Sequence, residues 1–165
     1  MKEKILKYVK EFVLFIIILA VTTNLISFYR SGSLNSEPLH INNFKVLNGD
    51  VYTLDRTKPK LVHIWATWCP TCKLEASNIE FLSKHFQVIT FAVKSGSNQE
   101  IQTWMDAHHY TFKVVNDSDG QISHSFKTFA YPSTFIYDKD GKLKFSDVGY
   151  TSTLGLYLRM IWSDF

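Results

Sequence analysis

Two patterns of apolar residues predict most of the strands of this chain. Apolar and polar residues alternate in FKVLNGDVYTL (44–54) around Asn48-Gly49-Asp50, which predicts a hairpin. The segments KLVHIWAT (60–67) and VITFAV (88–93) are mostly apolar and rich in β-branched residues, so they predict buried strands. Three shorter runs predict further strands: FKVV, STFIYD and KLKFSDV, the last two joined by the turn DKDG.

Segments with helical spacing separate these strands. Residues 70–85 predict a helix, and the side chains expected on its buried face are Leu74, Ile79, Leu82 and Phe86. Ser97 followed by Glu100 forms a capping box, which predicts a helix through about His108 with an inward face of Ile101, Trp104 and Met105. GQISHSFK predicts a short helix. A C-terminal helix is predicted at 151–162, with a buried stripe of Leu154, Leu158 and Ile161. This order of elements predicts an α/β fold with a central mixed β-sheet flanked by helices.

The N-terminal segment has a different character from the rest of the chain. Four lysines within the first ten residues precede FVLFIIILAVTTNLISF (12–28), which carries no charge and spans about 26 Å as a helix. This pattern predicts a transmembrane signal-anchor at 12–30, after a short cytoplasmic segment at 1–11 and before a linker at 31–40. The alternative is a cleaved signal peptide, and in both interpretations the domain at 41–165 lies outside the cytoplasmic membrane.

Composition and charge argue against a disordered chain and against a nucleic-acid-binding function. The chain has 165 residues, of which 45% are hydrophobic and 15% aromatic, so a packed core is expected rather than disorder. The net charge is only +3, and the first ten residues hold four of the eighteen lysines and arginines. No basic stripe indicates a nucleic-acid partner.

Two cysteines, Cys69 and Cys72, carry the chemistry that the sequence predicts. A structural disulfide gains most from closing a long loop, and only Pro70 and Thr71 lie between these two residues. A structural zinc site needs four ligands, so histidines on separate elements would have to complete it, although Cu(I) binding by two thiolates stays open. A redox pair fits better, because a strand precedes the motif and a helix follows it.

In that interpretation the two sulfurs have different tasks. Cys69 lies at the predicted helix N-terminus, where free N–H groups and the helix dipole favour a thiolate. Pro70 suits the first helical position because it lacks the N–H that would find no partner there. Cys72, one turn further on, is expected to be less exposed and to resolve a mixed disulfide. No cofactor is expected beyond the redox-active disulfide of this pair.

The stretch WATWCPTCKLE (65–75) resembles the active-site stretch of the thioredoxin superfamily. It is most similar to a membrane-anchored, periplasm-facing branch: the TlpA-like proteins and the cytochrome c maturation thiol reductases. ITFAVKSGSNQEI and DVGYTSTLGLYLRMIW resemble disulfide oxidoreductases of the suppressor-of-copper-sensitivity D-like (ScsD-like) type. The resemblance covers about residues 40–162. It implies a thioredoxin-like fold and a bacterial inner-membrane protein whose periplasmic domain exchanges disulfides with client proteins.

The resemblance also assigns further positions. Tyr131-Pro132 matches the loop that holds a cis-proline opposite the dithiol and offers backbone groups to a substrate chain; an ordinary trans proline is the alternative. Trp68 matches a residue of the docking face, whereas Trp65 suits the core. His63 stands six residues before Cys69, where thioredoxin has a buried acid. It is interpreted as a neutral core histidine in preference to a proton acceptor.

Glu75 matches an acid of the cytochrome-maturation branch. It is equally well interpreted as a proton relay and as a first-turn acid that favours the helix dipole. Relatives with Cys-Pro-Thr-Cys are often reductants supplied by a membrane thiol electron carrier, so the resemblance implies a reductase. The alternative function is a copper-handling protein that binds Cu(I) through the same two sulfurs.

Overall fold

The computed structural model of the protein describes residues 8–16, 18, 21–22, 34, 37–39 and 42–164. Residues 8–16 are helical and exposed. Within the described part of the chain, no helix combines the length and the apolarity that crossing a membrane requires. Much of the predicted anchor (12–30) and of the predicted linker (31–40) lies outside the described residues, so both stay predictions.

A five-stranded sheet forms the centre of the domain. The strands after residue 42 are β1 (Asn43–Lys45), β2 (Val51–Thr53), β3 (Lys60–Trp65), β4 (Gln87–Val93), β5 (Lys113–Asp117), β6 (Ser133–Tyr137) and β7 (Leu143–Val148). β1 and β2 form the predicted hairpin, and the other five lie in the order β5-β4-β3-β6-β7. β3, β4 and β5 are parallel, whereas β6 and β7 run antiparallel to their neighbours. The predicted mixed sheet is confirmed.

After residue 42, four helices follow the predicted order: α1 (Pro70–Ser83), α2 (Asn98–Ala107), α3 (Gln121–Ser125) and α4 (Thr153–Trp162). The crossovers β3-α1-β4 and β4-α2-β5 move the same way along the sheet, and right-handed crossovers therefore place α1 and α2 on one face. Buried residues of α1, α2 and α4 share one core cluster, while the hairpin and α3 contribute to the cluster on the opposite face. The predicted capping box of Ser97 and Glu100 is confirmed.

The predicted buried faces of two helices are wrong in part. Leu74 is exposed, because α1 turns Cys72, Ala76 and Ile79 inward and Leu74 lies two residues, or about 200°, from Cys72. Ile79 and Leu82 are buried as predicted.

In α4 the predicted stripe is the exposed one: Leu154, Leu158 and Ile161 face outward, and Leu156 and Met160 are buried. Both faces are apolar in sequence, so tertiary contacts decide the rotation. Asn78 of α1 donates to the Thr151 carbonyl oxygen over 2.9 Å and accepts from the Thr153 hydroxyl over 2.7 Å. These two bonds fix how the first turn of α4 meets α1.

Candidate active site

The Cys-Pro-Thr-Cys stretch forms the N-terminus of α1. Cys69 is the N-cap residue with extended backbone angles (φ −85°, ψ 116°), and Pro70 occupies the first helical turn. The Cys69 sulfur accepts a hydrogen bond from the Cys72 backbone N–H over 3.2 Å. A sulfur in the cap position meets the unpaired N–H groups of the helix start, and this environment favours a thiolate once the disulfide opens.

Cys69 and Cys72 are joined by a disulfide, with their Cα atoms 5.2 Å apart. Cys69 is 5% exposed and Cys72 is 1% exposed, and both belong to the core cluster beneath α1. The more accessible sulfur is therefore the one at the helix tip.

The loop before β6 lies against Cys69. The Tyr131–Pro132 peptide bond is cis, and the Tyr131 carbonyl oxygen is 3.6 Å from the Cys69 sulfur. Antiparallel pairing of β6 with β3, which sets Ser133 beside Ile64, brings this loop to the end of β3 where the cysteine motif begins. The Gly149 N–H donates to the Pro132 carbonyl oxygen over 2.8 Å and holds the loop from the other side.

The two tryptophans of the motif have different environments. Trp68 is 57% exposed; its indole N–H donates to the Lys94 carbonyl oxygen over 3.1 Å, and its ring meets Tyr131 edge to face at 5.8 Å. Trp65 is buried and donates to the Thr90 hydroxyl over 3.0 Å. Trp68 thus lies beside the disulfide as an exposed aromatic surface, and Trp65 is a core residue.

His63 is buried in β3. Its Nδ1 atom is 2.9 Å from the Thr134 hydroxyl oxygen, and burial lowers the pKa of the imidazole to about 3. The ring is neutral near pH 7, since a charged imidazole has no compensation in this environment. This geometry favours the neutral core histidine over the proton acceptor.

Glu75 lies three residues after Cys72, within the buried part of α1. Its side chain is 0% exposed, and neither carboxyl oxygen has a hydrogen-bond partner among the residues that the structure describes. Burial raises the pKa of Glu75 to about 8; the nearby Thr151 backbone N–H lowers it in part, and the charge of Asp147 raises it. A buried carboxyl group of this kind is protonated over much of the neutral range and exchanges its proton at mildly alkaline pH.

Four residues near this site were not among the sequence predictions. Asp147 and Arg159 form an ion pair of 3.3 Å on the side of Glu75, and Phe129 and Tyr150 are exposed rings close in sequence to the loop contacts of Pro132 and Gly149. Asp147 lies two residues after Phe145 on the same face of β7, so an acid at an inward position of that strand was the available signal. Over the same described residues, no group of three His, Cys, Asp or Glu side chains could hold a metal ion.

Residues 40–146 match the AhpC/TSA family. The chain belongs to this family. The predicted thioredoxin-like fold agrees with the solved structure of StoA from Bacillus subtilis, which has a TM-score of 0.66 and 19% identity and covers 76% of this chain and 98% of that one. The similarity to StoA at this identity concerns the fold.

Curated relatives extend the comparison to activity. A "Thioredoxin-like protein" of Haemophilus influenzae is 29% identical over 168 residues, covering 98% of both chains. The "Thiol:disulfide interchange protein DsbE" of Pseudomonas aeruginosa is 29% identical over 93 residues, covering 56% of this chain and 52% of that one. The match thus spans about half the length of DsbE. The AhpC/TSA family chain is a thioredoxin-like protein disulfide oxidoreductase, as the sequence predicted.

Proposed function

We propose that this protein reduces disulfides in client proteins on the outer side of the bacterial inner membrane, to which its N-terminal segment tethers it. The observation that carries the proposal is the Cys69–Cys72 disulfide at the tip of α1, facing the Tyr131 carbonyl oxygen at 3.6 Å. An extended client chain docked along Tyr131 and Pro132 would bring its own sulfur to Cys69 by backbone pairing.

In the first step, the Cys69 thiolate attacks one sulfur of the client disulfide. The client S–S bond breaks, a Cys69–client bond forms, and the other client sulfur leaves as a thiolate and takes a proton from solvent. Trp68 and Tyr131, whose rings touch edge to face, supply an apolar surface for the client side chains next to its cysteine.

In the second step, the Cys72 thiol gives its proton to the Glu75 carboxylate, and the Cys72 sulfur attacks Cys69. The mixed disulfide breaks, the client sulfur leaves as a thiolate that takes a proton from solvent, and the Cys69–Cys72 bond forms, so two electrons have passed to the client. Support for Glu75 comes from its burial and from a pKa of about 8, close to the usual value of a thiol near 8.5. Groups with similar pKa values exchange a proton at little free-energy cost.

The direction, location and electron supply rest on the resemblance described above. Cys-Pro-Thr-Cys relatives of the membrane-anchored branch are often reductants, and a thiol carrier in the membrane would return two electrons to Cys69–Cys72 after each turnover. The lysines before the apolar segment 12–28 favour a cytoplasmic N-terminus and a periplasmic domain.

Trapping and turnover together test the proposal. We expect the reduced full chain with Cys72→Ala to accumulate a mixed disulfide with a client peptide that carries a disulfide, while Cys69→Ala forms none. The wild type should reduce insulin in the presence of dithiothreitol, and both variants should not. Trapping through Cys72 in the Cys69→Ala variant would reverse the assigned roles. Equal insulin reduction by Cys69→Ala would remove Cys69 from the nucleophile role.

The reduction potential decides the direction, and Cu(I) titration decides the competing function. A potential near that of thioredoxin, about −270 mV, agrees with a reductase, whereas about −120 mV indicates an oxidant. Stoichiometric Cu(I) binding by the reduced chain, without measurable exchange with glutathione, would favour copper handling instead.

A further inference from the structure

A row of polar side chains crosses the sheet beneath α1. Cross-strand pairing sets His63 of β3 beside Thr134 of β6, and Thr134 beside Asp147 of β7. Residues directly opposite each other in a sheet point to the same face. This is the face covered by α1 and α4, because Phe145, two residues before Asp147, packs into the cluster that contains Ile79 and Leu156. Asp147 therefore faces the layer that holds Glu75.

Arg159 of α4 reaches Asp147 by lying back over the first turns of its own helix. Its Nη2 atom is 3.3 Å from the Asp147 Oδ1 atom, and the arginine side chain is three-quarters buried. A Cβ atom placed on Gly155 would come within 3.2 Å of the Arg159 Nη1 atom. The absence of a side chain at Gly155 therefore leaves the space through which the guanidinium group passes.

Glu75 and Asp147 are thus two buried carboxyl groups on facing elements, and Arg159 forms an ion pair with Asp147. Two further titratable groups in this layer add no charge near pH 7, because His63 is neutral and Cys72 is in the disulfide. An ionised Asp147 opposes ionisation of Glu75, while Arg159 compensates for the charge of Asp147. The protonation equilibrium of Glu75 is therefore sensitive to both members of the ion pair.

We propose that the Asp147–Arg159 ion pair positions the charge that sets how readily Glu75 releases and accepts its proton. Both are positioning residues, since they act on the cysteines only through Glu75. The inference rests on the proton-relay role of Glu75 in the proposed function. The contact between β7 and α4 therefore influences the resolving step, in addition to the Cys-Pro-Thr-Cys motif and the loop at Pro132.

Substitutions of the two partners should act with opposite signs. Arg159→Met removes the cation that lies 3.3 Å from the Asp147 carboxylate. The charge of Asp147 then acts more strongly on Glu75, so the protonation midpoint of Glu75 should rise by about one pH unit. Asp147→Asn leaves the cation without its partner, so the midpoint should fall by a similar amount. The double variant should return towards the wild type, and Arg159→Lys, which keeps the charge, should shift the midpoint less than Arg159→Met.

The midpoint is read from the side-chain carboxyl ¹³C shift of Glu75 in the oxidised full chain, assigned by its loss in Glu75→Gln. If the pair had a purely structural role, the protonation midpoint of Glu75 would shift in the same direction in both single variants, or in neither. Either result would overturn the inference. Arg159→Lys and Arg159→Met decide the matter alone if Asp147→Asn does not fold.

The limb of the turnover profile that rises with pH as Glu75 ionises separates this inference from the function on which it rests. The midpoint of this limb should rise in Arg159→Met and fall in Asp147→Asn, as the carboxyl midpoint does. If Glu75→Gln leaves that limb unchanged, the relay role fails although the carboxyl shifts still report on the ion pair. If Glu75→Gln removes the limb, but substitutions at Asp147 and Arg159 leave the carboxyl midpoint of Glu75 unchanged, the ion-pair inference alone fails.

Discussion

Helix α1 carries two buried glutamates that differ in almost every other respect. Glu80, near its C-terminus, accepts from the Thr111 backbone N–H over 2.7 Å, from the Thr111 hydroxyl over 2.9 Å and from the Phe112 N–H over 3.2 Å. Lys84 adds an ion pair of 3.1 Å. Glu75, five residues earlier, has none of these partners.

The two carboxyl groups respond to burial in opposite ways for this reason. Burial works to raise the pKa of Glu80, but the hydrogen bonds from Thr111 and the interaction with Lys84 outweigh it and lower the pKa. At Glu75 burial prevails and raises the pKa to about 8. The comparison teaches that hydrogen-bond donors, rather than the depth of burial, separate a structural carboxylate from one that can exchange a proton beside the disulfide.

The largest expected effect is on stability at alkaline pH. Because the pKa of Glu75 rises on folding, its contribution to stability is fully present below pH 4.5 and is lost as pH rises towards about 8. A tenfold change in an ionisation constant corresponds to about 1.4 kcal/mol, so the wild type should lose up to roughly 5 kcal/mol relative to Glu75→Gln over this range. Urea unfolding of both oxidised full chains from pH 4 to 9 measures the difference, and a constant difference would contradict the raised pKa.

The second-largest expected effect is the loss of stability when Glu80 is replaced. Glu80→Ala removes the acceptor of two backbone N–H groups at Thr111 and Phe112, and we expect a loss of about 3 kcal/mol in the free energy of unfolding at pH 7. The wild-type contribution of Glu80 should fade as pH falls below 4.5, opposite in sign to that of Glu75. A loss below about 0.5 kcal/mol would mean that these bonds contribute little.

Catalysis should separate the two glutamates most clearly. Glu75→Gln is expected to slow insulin reduction roughly 100-fold, because general acid–base groups contribute on this scale. Glu80→Gln, the matched control on the same helix, should keep turnover within about threefold, since Glu80 bonds to the β5 side of the domain. Equal losses in both variants would indicate a shared structural effect instead of proton transfer.

The smallest effect is expected at the surface partner of Glu80. The Lys84 side chain is 62% exposed, and exposed pairs on a helix contribute about 0.3–0.5 kcal/mol. Lys84→Gln should therefore change the free energy of unfolding by less than about 1 kcal/mol, and by less still in high salt. Urea unfolding at two salt concentrations checks this, with a larger or salt-independent loss as the contrary result.

Local signals in the sequence predicted the strands, the hairpin at Asn48-Gly49 and the Ser97 cap, because each depends on residues close together in the chain. The rotation of α4 was not predictable in the same way. Leu154 and Leu156 are equally apolar, and the choice between their faces depends on Asn78, which lies on another helix. The resemblance supplied Pro132 and Glu75, whereas Asp147 acquires its place only through the register of β6 with β7.

The proposed chemistry depends most on Cys69 being the reactive sulfur. Its most direct test is mass-spectrometric mapping of the reduced full chain after brief exposure to iodoacetamide at pH 7. We expect Cys69 to be alkylated first, Cys72 to be spared, and insulin reduction to be lost in proportion to the modified Cys69. An inert Cys69 at neutral pH, or turnover that survives its complete alkylation, would contradict the central claim.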